Sequence, residues 1–318
     1  MIIETFEYCS FDNNNIFVYK WSPENTKILG IVHISHGLSE HAGRYKYFAE
    51  QLTSVGYIVY AHDQRGHGKT TKNTNNIVHV SNGGWTHMQK DLVLLIDYIK
   101  KAHAELPIFL FGHSMGSFII RSVLQDSTTN VNGAIISGTG CFDNLALNAG
   151  ILVAKSLIKR RGPHKRSYYI NNITFRAFNL NVSEPKTFFD WISRDDKIVS
   201  SFLNDPLCRI NCSNNLFFEL FNGLKTMQNP KSIIKTPKNT PILLLSGGND
   251  PVGHWGRDVF ELMKLYKNIG VNDVQYKLYP FARHELINET NKDEVILDII
   301  NWLNERTSPA LSVVSAPL

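Results

Sequence analysis

The chain has 318 residues, 43% of them hydrophobic and 19% charged, which is enough apolar material for a substantial core and excludes a disordered chain. Lys and Arg number 33 against 28 Asp and Glu, a formal charge of +5, and the basic residues are scattered without a nucleic-acid-binding signature, so no nucleic-acid partner is expected. The one dense basic run, Lys159, Arg160, Arg161, His164, Lys165 and Arg166, reads as a solvated loop, with a lipid headgroup or phosphate site as the alternative. The opening MIIETFEYCS has neither the basic region nor the apolar stretch of a signal peptide, and no apolar run reaches the roughly 18 to 20 residues that span a bilayer. A cytoplasmic protein is expected, with a peripheral membrane contact left open.

Two alternating stretches, 4–8 and 16–21, flank Asp12-Asn13-Asn14-Asn15 and predict a hairpin. Residues 27–35 predict a strand that ends in His36-Gly37-Leu38, and a helix follows over 48–55. Residues 56–61 predict a second buried strand, closed by HDQRGHG. Leu92, Leu95, Ile96 and Ile99 have the spacing of an amphipathic helix lying on a sheet. Strands are predicted over 108–111 and 132–137, with a helix over 118–124 between them.

This alternation from 27 to 137 predicts an α/β fold with a mostly parallel sheet and helices on both faces. It stops at 138 and resumes at 241–247, followed by a helix over 258–266, a strand over 274–278 and a helix over 294–303. Residues 1–137 and 236–306 are therefore read as the core, and 138–235 as an inserted, mainly helical cap over the site. Residues 307–318 read as a disordered tail. The four cysteines, Cys9, Cys141, Cys208 and Cys212, are irregularly spaced, so packing is the better reading than a zinc site.

The chemistry is concentrated in PIFLFGHSMGSFII, residues 107–120. A strand, a G-x-S-x-G turn and a helix place Ser114 on a strained bend at the carboxyl edge of the sheet. A serine hydroxyl is not nucleophilic at neutral pH, so it needs a base within hydrogen-bond reach and an acid to orient that base. His284 follows the last strand, and Asp250 follows the 241–247 strand. Both therefore fall at the same edge, in the chain order that this architecture uses. His254 is the weaker candidate base, too close to Asp250 to suit that order. Asp258 reads as a helix-start charge, and Asp273 precedes its strand. The oxyanion donors would be the amides of Met115 and Leu38. No metal or organic cofactor is required.

HISHGLSEHAGRY, AHDQRGHGKT, LFGHSMGS, LLLSGGNDPVG and ARHE together resemble the monoacylglycerol lipase and lysophospholipase group of the α/β-hydrolases, classed with the serine aminopeptidases. NDPLC, residues 204–208, resembles that group's cap. The resemblance implies Ser114, Asp250 and His284 as the catalytic triad, with Leu38 and Met115 as oxyanion donors. It places Glu40 and Arg44 near the polar end of the pocket, where a glycerol headgroup would bind; an ion pair one turn apart that holds the loop is the alternative. In the mammalian lipase a second histidine follows the catalytic one by three positions and faces the glycerol, and here that position is Ile287. Asp63, Arg65 and His67 read as a structural turn.

The cap offers Ile151, Leu152, Val153, Leu157 and Ile158, then Phe188, Phe189, Trp191, Phe202, Phe217, Phe218, Leu220 and Phe221, to line an acyl channel or touch a membrane. A single-chain lipid ester, monoacylglycerol or lysophospholipid, is the expected substrate. The alternatives are a generic carboxylesterase, an aminopeptidase-type amide hydrolase, or a lipid-binding receptor without turnover. Oligomeric state is not legible.

Overall fold

Five short apolar runs supply the middle of the sheet, and every residue in them is buried: β3 (Gly30–Ser35), β4 (Tyr57–His62), β5 (Ile108–His113), β6 (Gly133–Ser137) and β7 (Ile242–Gly247). The computed structural model describes residues 1–72, 76–126, 129–180, 182–208 and 211–307. With β1 (Ile2–Cys9), β2 (Asn15–Ser22) and β8 (Val274–Tyr279) these strands form one eight-stranded sheet in the order β1-β2-β4-β3-β5-β6-β7-β8. The β1–β2 hairpin pairs from Ile2 with Ser22 to Cys9 with Asn15 and joins β4 antiparallel, and the other pairs are parallel. Asn13, at positive φ, turns the hairpin.

Strand alternation divides the core between the two faces. Phe109 and Phe111 of β5 pack with α1 (Lys46–Ser54) and α10 (Lys292–Thr307), while Ile108 and Leu110 face α2 (Gly84–Ala102) and α3 (Met115–Leu124). The predicted stripe on α2, Leu92, Leu95, Ile96 and Ile99, is wholly buried. Each such side chain contributes about 1.5–3 kcal/mol by leaving water. On the β7 to β8 side, α9 (Arg257–Asn268) completes the layer.

Between β6 and β7 lie α4 (Asn144–Arg161), α5 (Tyr168–Arg176), α6 (Asp196–Asn204), α7 (Asn214–Met227) and the short α8 (Pro230–Ile233). No strand occurs among the described residues there; a single bridge pairs Arg166 with Ser213. This layer is fastened to the core. Glu219 of α7 accepts the Gly83 and Trp85 amides at 2.9 and 3.3 Å, and Gly223 lies so close to Trp85 that an added Cβ would fall 2.0 Å from its ring.

Several boundaries differ from expectation by one to four residues. β3 starts at Gly30, since the Leu29 amide already bonds Gly56 outside the ladder, and α3 starts at Met115, directly after the G-x-S-x-G bend. Thr307, placed in the tail by sequence, ends α10 and bonds the Tyr57 hydroxyl; the rest of that tail lies outside the described residues. No helix among the described residues is long and apolar enough to cross a membrane.

Candidate active site

The bend between β5 and α3 holds Ser114 at φ 50° and ψ −120°, a region that side chains other than glycine rarely occupy. Two glycines permit it. A Cβ on Gly112 would lie 2.7 Å from the Gly116 carbonyl, and one on Gly116 would lie 2.0 Å from that of Ser35, so α3 can approach β3 and β5 only without those atoms. The Ser114 amide donates to Ser137 at 3.0 Å, which fixes the bend against β6.

The loop after β7 carries Asp250, fully buried, whose Oδ1 accepts the Val252 amide at 2.9 Å. His284, in the loop after β8, places Nδ1 2.9 Å from the same oxygen. With Nδ1–H donated to Asp250, the basic lone pair is on Nε2, which is buried and has no hydrogen-bond partner among the described residues. Ser114 and His284 line one cavity. The imidazole packs against the rings of His113 and Trp191, at centroid distances of 4.6 and 4.9 Å. Burial opposes charging of His284, but the charge and hydrogen bond of Asp250, then Glu285 and Glu40, outweigh it and raise its pKa. His113 goes the other way, lowered by burial and then by His284.

Leu38 and Met115 line the same cavity, and neither amide has an intramolecular acceptor among the described residues. Met115 opens α3, where the first amides of a helix are unpaired and carry its positive end. A Cβ on Gly37 would sit 3.2 Å from the Ser114 Cβ, so the Leu38 loop presses directly on the serine.

Glu40 also lines the cavity, and Arg44 braces it from behind. The Arg44 Nη1 donates to Glu40 Oε2 at 2.7 Å and to Glu285 Oε1 at 2.8 Å, while Nη2 donates to Glu285 Oε2 at 2.8 Å. Gly37 and Tyr45 donate to the other Glu40 oxygen. The ion pair over one turn is thus present and has a third member. Glu285 lay unread in ARHE, adjacent to the histidine. Burial pushes Glu40 up from the usual carboxylate value; for Glu285 burial acts the same way, but Arg44 wins and holds it below. Ile287 is buried in the core beneath α10, away from the cavity.

Other sequence candidates take structural places. Asp63 accepts the Ala42 and Lys69 amides, Arg65 bridges Asp12 and Asp91, and His67 bonds the Arg65 carbonyl, which makes a braced turn. His254 is half exposed and bonds Asp258 at 2.7 Å, away from the cavity. Asp258 does start α9, but it also accepts the Cys141 amide. Cys208 and Cys212 are buried. The basic run divides: Lys159, Arg160 and Arg161 are exposed at the end of α4, whereas Arg166 bonds the carbonyls of Asn211 and Ile77, and His164 stacks on His79 at 4.0 Å.

The cap closes the cavity with rings. Of the aromatics singled out in sequence, Phe189, Trp191, Phe202 and Phe221 line it, and Phe175 and Phe178 join them. Phe217 is core, while Leu152, Val153 and Phe188 face outward. The carbonyls of Trp191 and Ile192 accept the amides of His284 and Glu285 at 3.3 and 2.7 Å, so this part of the cap is hydrogen-bonded to the loop of the proposed base. His41 Nε2 to Asp205 Oδ2, 2.9 Å, is a second tie.

The family model described as serine aminopeptidase, S33 matches residues 26–291. A monoglyceride lipase homolog of Monkeypox virus is 29% identical over 94% of this chain and 98% of its own. The monoglyceride lipase of Homo sapiens is 27% identical over 94% and 90%. Among solved structures, a thermostable carboxyl esterase from Bacillus coagulans, in complex with glycerol, superposes with a TM-score of 0.88 at 28% identity, over 96% of this chain and 99% of its own.

Proposed function

The chain belongs to the serine aminopeptidase S33 family of α/β-hydrolases, and from that premise we propose that it is a carboxylic ester hydrolase acting on single-chain lipids through an acyl-enzyme on Ser114. One observation carries the reading: an imidazole tied through Nδ1 to a buried carboxylate shares with a strained serine a cavity roofed by aromatic rings.

In this mechanism the Ser114 hydroxyl passes its proton to His284 Nε2 as Oγ bonds the ester carbonyl carbon. The negative oxygen is received by the Leu38 and Met115 amides. When the intermediate collapses, the carbon–oxygen bond to the alcohol breaks, and His284 returns the proton to the departing oxygen. Water, deprotonated by the same imidazole, then releases the acid and regenerates the serine. Asp250 holds the ring in the required tautomer and stabilises its charged form. The ring-lined side of the cavity takes the acyl chain, and the Glu40 side takes the alcohol.

The cap also offers a surface for peripheral membrane contact. Leu145, Leu152 and Val153 are exposed along α4, whose last turn carries Lys159, Arg160 and Arg161. Covalent labelling by a fluorophosphonate, abolished in Ser114→Ala, together with turnover that rises with acyl length, is the expected outcome. Equal turnover of short and long esters, or a requirement for a free α-amino group on an amide, would sink the lipid assignment. Sedimentation with anionic but not neutral vesicles checks the α4 surface.

A further inference from the structure

We propose that Glu285 makes the alcohol side of this cavity a filter against phosphate-bearing headgroups, so that the ester accepted is that of an uncharged polyol; this rests on the lipid-ester reading above. Glu285 follows His284 directly, and its amide is fixed to the Ile192 carbonyl, so its carboxylate is placed relative to the base by one peptide unit. The cavity is lined by Glu285 and Glu40 and, among the described residues, by no lysine or arginine. Arg44, the cation behind this wall, has both Nη atoms committed to the two carboxylates and its guanidinium 5.0 Å from the Phe202 ring centroid. A phosphate entering here meets two carboxylates of which Arg44 offsets one charge, so the wall keeps a net negative charge while His284 is neutral. In a space closed off by aromatic rings, that repulsion is little screened by solvent or salt.

The same wall suits hydroxyl groups. A carboxylate oxygen can accept two hydrogen bonds. Glu285 Oε2 already takes Arg44 and Asn288, and Glu40 Oε1 takes Gly37 and Tyr45. Among the described residues Glu285 Oε1 and Glu40 Oε2 each take Arg44 alone, so each keeps one position for an O–H donor. A polyol supplies such donors, whereas a fully ionised phosphate supplies only acceptors. Glu285 is thus a specificity residue for the leaving alcohol, and no proton of the reaction passes through it.

The test uses protection of Ser114 from a fluorophosphonate probe by two non-hydrolysable ligands, hexadecyl glycerol ether and its phosphate monoester, in the same neutral detergent. In the unaltered protein the phosphate ester should need at least about tenfold more ligand for half protection, the size of one like-charge contact. Glu285→Gln, which keeps the shape and removes the charge, should shrink that ratio to about threefold or less, and Glu285→Asp should retain it. Equal protection by the two ligands in the unaltered protein overturns the filter and leaves the lipid-ester reading standing. A ratio that Glu285→Gln does not change also overturns it. Failure of both ligands to protect a labelled Ser114 overturns the lipid-ester reading and the filter with it. If Glu285→Gln does not fold, the ratio in the unaltered protein and its retention in Glu285→Asp decide.

Discussion

The wall of the cavity that carries Ser114, His284 and Glu40 comes from loops at the carboxyl edge of the sheet, whereas the facing wall comes from α6, α7 and the segments around Phe178 and Trp191. The first is held by directed contacts: Asp250 to His284, Gly37 and Tyr45 to Glu40, Arg44 to two carboxylates. The second presents packed rings to the cavity, such as Phe178 on Trp191 at 4.7 Å and Phe189 on Phe202 at 5.5 Å, and is tied to the core by hydrogen bonds of Trp191, Ile192 and Glu219. Hydrogen bonds fix atoms to a few tenths of an ångström, and ring packing fixes volume. Damage to the core wall should therefore cost rate by orders of magnitude, and damage to the cap wall should change which chain fits.

The largest expected effect is on the core side. Ser114→Ala should reduce ester turnover about 10⁴-fold or more while leaving the thermal unfolding midpoint near that of the parent. Residual turnover within tenfold of the parent would break the comparison, because the directed wall would then not depend on its nucleophile. Asp250→Asn should lower kcat about 10³- to 10⁴-fold by leaving the imidazole in the wrong tautomer. It should also move the pH profile. In the proposed mechanism His284 must be neutral to accept the serine proton, so activity should rise as pH passes its pKa. That pKa stands above the ordinary 6.5, since Asp250 and the nearby glutamates outweigh burial. The acid limb of kcat/KM should accordingly lie above 6.5 in the parent and fall to lower pH in Asp250→Asn. A limb that does not move would show that Asp250 does not set the charge of the base.

This division also marks what could be read from the sequence. Apolar runs bounded by glycine and proline located the five central strands, since a strand buried on both faces is predominantly apolar, and among the buried polar exceptions His33 and His62 bond each other. The G-x-S-x-G bend was legible because its two glycines answer a steric demand, the 2.0 Å that separates a Cβ on Gly116 from the Ser35 carbonyl. Asp250 and His284 were singled out by their place after strands, and what the structure adds is the hydrogen bond between them. The segment between β6 and β7 was legible only as an interruption of the alternation. Its aromatics fall into core, cavity and surface by tertiary packing, and spacing along the chain does not tell Phe217 from Phe221. Glu285 was missed because its partner, Arg44, lies 241 residues away and nothing local to ARHE calls for a cation.

On the cap side the effects are smaller and graded. Phe178→Ala opens the ring-lined wall at a residue that is only half buried, so the fold should tolerate it. The expected outcome is a kcat/KM about tenfold lower for hexadecanoyl esters, with butanoyl esters changed about twofold or less, in line with a loss of some 1–2 kcal/mol of chain contact. Equal losses for both would mean that this ring positions the reacting carbonyl and so belongs to the directed wall.

The smallest effect tests whether the cap wall is a hinged lid or part of the body. Gly223 of α7 lies against the indole of Trp85, at the start of α2, and the nearest atoms to an added Cβ would be 2.0, 2.3 and 2.5 Å away. Gly223→Ala gains about 1 kcal/mol in helix propensity and loses about 1–3 kcal/mol to the overlap, since α7 and α2 must part. If the cap melts with the core, the single unfolding transition should fall by a few degrees and chain-length preference should persist. If α7 swings free of α2 in solution, the overlap is relieved by that motion and the midpoint should stay level or rise. The amides of Gly83 and Trp85 argue for the first outcome: both depend on Glu219, one turn before Gly223, and an opening of α7 would strand two donors at the head of a core helix.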